Sequence, residues 1–189
     1  MRVPQLWLAR HAQPLVAPGH CYGVLDVPAD ALATAQAAQR LAQALPASLA
    51  VWHSPLQRCT QLAHALQAQR PELHSQPDTR LQEMDFGCWE GRAWDSIART
   101  DIDRWVAGFA THRPGGGESL QTMLARVAAA LQQAKDTAQQ KHTDVLWLTH
   151  AGVARCVQWL LERHHQAPCA AQWPVVAPEW GGWVCWPLA

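Results

Sequence analysis

The sequence carries no excess of charge of either sign: 15 Lys and Arg balance 15 Asp and Glu over 189 residues, for a formal net charge of zero. Without a net field there is no general attraction for nucleic acid or for an anionic membrane, so an anionic ligand has to be met by a local cluster of positive groups. The chain also lacks any C-x-x-C pair. Its six cysteines, Cys21, Cys59, Cys88, Cys156, Cys169 and Cys185, are scattered, which removes a zinc knuckle or a redox dithiol and leaves buried free thiols in a reducing compartment as the expectation. No apolar run approaches the roughly 20 residues that span a bilayer, and "MRVPQLWLARHAQP" at the start has no long apolar core of a signal peptide. These absences predict a cytoplasmic protein with no membrane and no nucleic-acid partner.

What is present suits one packed domain over residues 1–189. Hydrophobic residues make up 49% and charged residues 16%, a globular balance at a length that supports one sizeable core. Tyrosine occurs once, at Tyr22, whereas tryptophan occurs 11 times. The scatter of the tryptophans assigns them mostly to packing, with an aromatic box for a sugar or base as the other use.

Three short runs, "QLWLA" (5–9), "LAVWH" (49–53) and "DVLWLTH" (144–150), are apolar on both faces and each precedes a helical pattern, as buried parallel strands do. "GWVCWPL" near the end alternates and suits an edge strand. Helices are predicted over 30–45, capped by Asp30 and stopped by Pro46; over 54–69, with Ser54 as cap and Pro55 first; over 119–139, capped by Ser119; and over 151–163. Strands alternating with helices predict an α/β fold, layered on a mostly parallel sheet. The stretch 84–117 is the least regular, with "RPGGGE" as a loop, and His142 and His164–His165 read as solvated helix-end residues.

Ligands of such sheets bind beyond the carboxyl ends of the strands. Three predicted ends carry "ARHA", "HSPLQR" and "THAG", so Arg10, His11, Arg58 and His150 converge if those strands are neighbours. Two guanidiniums and two imidazoles suit a tetrahedral dianion, because the planar fork of Arg matches phosphate oxygens; helix N-termini near Ser54 and Ala151 would add their dipoles. Phosphoryl transfer to a histidine also needs an acid for the leaving alkoxide. "LQEMDFGCWEG" offers Glu83, Asp85 and Glu90; a carboxyl partly desolvated beside phosphate would have a raised pKa. Spacing does not choose among the three.

The blocks "LARHA", "SPLQRCTQLA", "LQEMDFGCWEG", "RPGGGESL" and "LTHAG" resemble, in order and approximate spacing, those of the histidine phosphatase superfamily, the phosphoglycerate-mutase-like proteins, over about residues 5 to 153. The resemblance implies a three-layer α/β/α sandwich. It also implies His11 as the nucleophile, Arg10 and Arg58 as phosphate-binding arginines, Glu83 as proton donor and His150 as the second histidine, which binds the transferring phosphoryl group. Neutral His11 would attack phosphorus, and water would then hydrolyse the phosphohistidine, with no metal and no cofactor. Arg10, Arg58 and a protonated His150 would hold His11 neutral. Alanine stands at 12 and 151 where many relatives have glycine, and Gln13 where many have glutamate.

"PGHCYGVLDVPAD" (18–30) and "RPGGGES" (113–119) resemble the corresponding stretches of α-ribazole phosphatases, which implies a small-molecule phosphate ester, α-ribazole 5′-phosphate of cobalamin assembly, as substrate, with Tyr22 and Gly23 as candidate substrate-binding residues, Tyr22 either packing on the ligand's ring or filling the loop. The alternatives are a phosphatase of other or broad specificity acting on small sugar phosphates or protein phosphohistidine, a phosphoglycerate mutase, and a non-catalytic phospho-ligand binder. An open pocket without Trp or Tyr contacts would favour the protein substrate. For the tryptophan-rich tail (171–189) edge-strand packing is the expectation, with a homodimer contact or a lid as the other roles.

Overall fold

In the computed structural model, which describes residues 2–163 and 166–188, the sheet has five strands: β1 (Gln5–Arg10), β2 (Leu49–His53), β3 (Ser75–Pro77), β4 (Asp144–Thr149) and β5 (Trp183–Pro187). Their spatial order is β3-β2-β4-β1-β5. The most apolar run, β4, takes the centre and is buried along its whole length. It pairs in parallel with β1 and with β2, while the alternating β5 closes one edge antiparallel to β1. The other edge, β3, is a three-residue polar strand ending at Pro77. It has no hydrophobic run by which to be recognised, and proline is tolerated there because an edge strand needs only one row of ladder bonds.

Side chains of successive strand residues point to opposite faces, and β4 shows how that divides the core. Leu146 and Leu148 join Ala9 and Val51 in one cluster with α1 (Ala31–Ala44) and α2 (Gln57–Gln69). Val145 and Trp147 join Leu6 and Leu8 in a second cluster with α4 (Leu120–Lys141) and α5 (Ala151–Arg163). Helices therefore cover both faces of a mostly parallel sheet, in three layers. The stretch 84–117 folds as short 3-10 turns around α3 (Arg99–Ala107), with a small cluster of its own on Cys21, Trp89 and Ile97.

The expected caps hold at two helices and fail at a third. The Asp30 carboxylate accepts from the Ala33 N–H at 2.7 Å, and the Ser119 hydroxyl accepts from the Thr122 N–H at 3.2 Å. Ser54 does not cap α2, which begins only at Gln57; there the Asp26 carboxylate accepts the Gln57 N–H at 2.6 Å. The cap comes from a residue 31 positions away, which no local pattern announces. His142 ends α4 in the left-handed conformation, at φ 50°, whereas His164 and His165 lie outside the described residues. All six cysteines are free, but Cys88, Cys169 and Cys185 are exposed rather than buried. No helix among the described residues is long and apolar enough to cross a membrane. Replacing the α1 cap, Asp30→Ala, should lower unfolding free energy by about 1 kcal/mol, read from the urea midpoint at unchanged slope.

Candidate active site

Because β1 and β2 both flank β4, their carboxyl ends lie side by side. Arg10 closes β1 and His11 follows it; His150 follows β4 and leads directly into α5. The His11 N–H donates to the Thr149 carbonyl at 3.1 Å, and the two imidazole rings stand 5.1 Å apart at 60°. Arg58, the second residue of α2, reaches the same place from the helix that follows β2: its Nε–H donates to Nδ1 of His150 at 3.3 Å.

These bonds set the protonation of both rings. A carbonyl only accepts, so the 2.7 Å bond from His11 to the Ala12 carbonyl puts the proton on Nδ1 and leaves the Nε2 lone pair unused. Burial, followed by the Arg58 charge, pushes the His11 pKa down to about 3. Arginine only donates, so Nδ1 of His150 carries a lone pair, and its Nε2–H donates to the Ser54 hydroxyl at 2.8 Å. Burial and then Arg58 also hold His150 well below its ordinary value. A protonated His150 is thus not what keeps His11 neutral; burial is, with Arg58 second.

Arg58 itself is fully buried. Its two terminal nitrogens donate to the carbonyls of Leu25, at 2.9 Å, and Gly23, at 2.5 Å. The N–H groups of Gly23, Val24 and Leu25, together with that of Phe86, donate to the Glu90 carboxylate. Gly23 is therefore a structural link between Glu90 and Arg58, and it does not line the cavity described below. Asp85 is likewise engaged, its carboxylate accepting from the Gly87 N–H at 2.7 Å.

Glu83 is placed differently. Its two oxygens accept from the N–H of Met84 and from the N–H of Gly152 in the first turn of α5, both at 2.9 Å. A Cβ on Gly152 would lie 2.0 Å from the carboxylate, so the approach of the acid to the helix end requires glycine there. Arg126, from α4, donates to the carbonyls of Arg80, Gln82 and Glu83 and is paired with Glu118, which holds the whole acid-bearing turn. The roles of Arg126, Ser54 and Asp26 were not legible in the sequence, because each acts on residues remote along the chain. Ala12 and Ala151 cause no strain: His142 is the only non-glycine residue with positive φ among those described.

Arg10, His11, Glu83 and Tyr22 share the wall of a cavity of about 350 Å³. The same wall carries five more aromatic side chains, Phe86, Trp94, Trp105, Phe109 and Trp173, with Trp94 and Trp105 stacked at 8° and 6.3 Å. Three tryptophans thus line the cavity, and Trp180 lies 5.4 Å from the Arg10 guanidinium. These three also pack against the apolar clusters, so the tryptophans mainly pack and a few of them form an aromatic wall as well. Arg10 donates from Nη1 to the Pro178 carbonyl at 3.0 Å, while its buried Nε–H has no partner. Arg58 and His150 stand behind His11 and are not part of this wall.

A family model described as the histidine phosphatase superfamily (branch 1) matches residues 6–174. Two curated relatives come from Arabidopsis thaliana. A phosphoglycerate mutase-like protein is 31% identical over 128 residues, covering 64% of this chain and 54% of its own length. A metal-independent phosphoserine phosphatase is 32% identical over 115 residues, covering 58% and 47%. The chain thus spans about half the length of the curated relatives it matches. Among solved structures, that of TTHB049 from Thermus thermophilus superposes with a TM-score of 0.71 at 28% identity, covering 96% of this chain and 92% of that one.

The depressed His11 pKa gives the pH dependence of stability a definite sign. Between about 3 and the ordinary value of 6.5 the unfolded chain binds a proton that the folded protein does not, so stability falls as pH falls through that window. For His11 alone the loss between pH 7 and pH 5 should be on the order of 2 kcal/mol. Urea unfolding of the wild type and of His11→Gln at both pH values checks this: the variant should show a flatter dependence.

Proposed function

The chain belongs to the histidine phosphatase superfamily, and from that premise we propose that it is a phosphomonoesterase working through a phosphohistidine at His11. One observation carries the reading: a neutral imidazole with a free Nε2 shares one cavity wall with an arginine that has an unfilled donor and with a carboxyl group. Nε2 attacks phosphorus as the ester P–O bond breaks, and Glu83, entering protonated, gives its proton to the departing oxygen. Water then attacks phosphorus, the P–N bond breaks, and Glu83 takes the proton from that water. Arg10 stabilises charge on the phosphoryl oxygens. Arg58 and His150 support His11 from behind, with one N–H of each Arg58 terminal nitrogen held by the carbonyls of Gly23 and Leu25.

For the substrate we infer the 5′-phosphate of α-ribazole, in cytoplasmic cobalamin assembly. The resemblance of residues 18–30 and 113–119 supports it, and so does a cavity whose aromatic walls suit a small flat leaving group. An aromatic pit of this size argues against phosphohistidine on a folded protein. A second reading, a phosphatase for other small esters, is favoured by the 32% identity to a phosphoserine phosphatase.

The test is kcat/KM, with a chelator present, for α-ribazole 5′-phosphate against 3-phosphoglycerate, fructose bisphosphates, ribonucleoside monophosphates, phosphoserine and a phosphohistidine peptide. A preference of roughly 100-fold, about 2.7 kcal/mol of differential transition-state binding, is expected for the first; a flat profile removes the substrate assignment and leaves the chemistry. His11→Ala should abolish turnover and the acid-labile phosphoenzyme while the fold survives, and equally fast turnover would overturn the mechanism. Gly152→Ala, which displaces the acid, should cost about 100-fold on alkyl esters and much less on p-nitrophenyl phosphate, whose leaving group needs no proton. Equal losses on both would argue against Glu83 as the donor.

A further inference from the structure

We propose that Arg155 is a specificity-determining residue, its guanidinium reading a pair of oxygen acceptors on the leaving group, a vicinal diol or a carboxylate, one turn of α5 beyond Glu83. The inference rests on the phosphatase reading above. Gly152 and Arg155 are three residues apart in α5 and therefore share a face of the helix. Helical side chains lean toward the helix N-terminus, so Arg155 lies over the turn whose Gly152 N–H holds the Glu83 carboxylate. Both residues line the aromatic cavity. The ester oxygen has to meet Glu83, and whatever the leaving group carries beyond that oxygen comes within reach of Arg155.

Most of the donors of Arg155 are unspent. Its Nη2 makes one long bond, 3.3 Å, to the Val175 carbonyl, and its Nε–H is buried without a partner. No ion pair among the described residues includes it. The other inward-facing arginines differ: Arg126 is filled by Glu118 and three carbonyls, and every nitrogen of Arg58 has a partner, in His150 and two carbonyls. Among the described residues, only Arg10 and Arg155 of the arginines keep a buried unpartnered Nε–H, and both face the same cavity. They are near enough for the Arg155 charge to bear on Arg10. The phosphoryl group accounts for Arg10. A second acceptor accounts for Arg155, and the parallel donors of a guanidinium fit two oxygens side by side.

Kinetics within each protein variant test this, because a ratio of kcat/KM values does not depend on the fraction folded. The diol arm compares adenosine 5′-monophosphate with its 2′,3′-dideoxy analogue. The carboxylate arm compares 3-phosphoglycerate with glycerol 3-phosphate, and p-nitrophenyl phosphate reports the chemistry alone. Wild type should prefer the acceptor-bearing ester by at least roughly tenfold in one arm, and Arg155→Met should reduce that ratio to within about twofold of unity. Arg155→Lys distinguishes the sources: it should restore a carboxylate preference, which needs charge, and not a diol preference, which needs the fork. Flat ratios in wild type, or an Arg155→Met ratio equal to that of wild type, would overturn the proposal while p-nitrophenyl phosphate turnover leaves the phosphatase reading standing. Absence of p-nitrophenyl phosphate turnover in wild type itself would sink both.

Discussion

A buried arginine with no carboxylate bonded to it, Arg58, organises the site. Its charge is met by peptide dipoles: the carbonyls of Gly23 and Leu25 face it, and the N–H groups of the same loop face Glu90. Cation and carboxylate thus offset each other through a layer of backbone, in a place where an unpaired ion would be costly. The loop after β1, the first turn of α2 and the irregular stretch after β3 are locked together by that one arrangement. It also keeps a positive charge beside two imidazoles, which together with burial leaves both neutral at physiological pH.

The second constraint is the close approach of Glu83 to α5. The helix begins immediately after His150, so the strand that delivers the histidine also delivers a helix N-terminus to the carboxyl group. Its two oxygens meet the N–H groups of Met84 and Gly152. The arrangement demands a glycine at 152 and a firm hold on the Glu83 turn, which Arg126 supplies from the neighbouring helix. Glu83 is thus positioned by α4 and α5 and His11 by the end of β1, and the aromatic stretch 86–109 with Trp173 closes the space before them.

The layered fold was legible because its signals are local. Apolar runs of strand length, the caps at Asp30 and Ser119, and the alternation in "GWVCWPL" are properties of neighbouring residues, and burial of apolar surface acts on them wherever they end up. The histidines and arginines at strand ends were legible for the same reason: a parallel sheet brings its carboxyl ends together as soon as the strands are adjacent. β3 escaped, since three polar residues at an edge bury too little to leave a pattern.

What tertiary structure alone decided concerns pairs of groups far apart in the chain. Three carboxylates within eight residues of one motif were equivalent in sequence, and only their partners separate them: four backbone N–H groups for Glu90, a local turn for Asp85, the α5 N-terminus for Glu83. Ser54 accepts from His150 as well as from the Leu56 N–H, Asp26 caps α2 in its place, and a few scattered tryptophans became a cavity wall. The sequence by itself determined which elements form and which residue types reach the strand ends, because hydrophobic periodicity and capping act over a few residues. Which donor meets which acceptor, and hence which nitrogen of each histidine carries its proton and which carboxyl faces the cavity, depends on distances of a few ångströms between remote segments, and those exist only once the chain is packed.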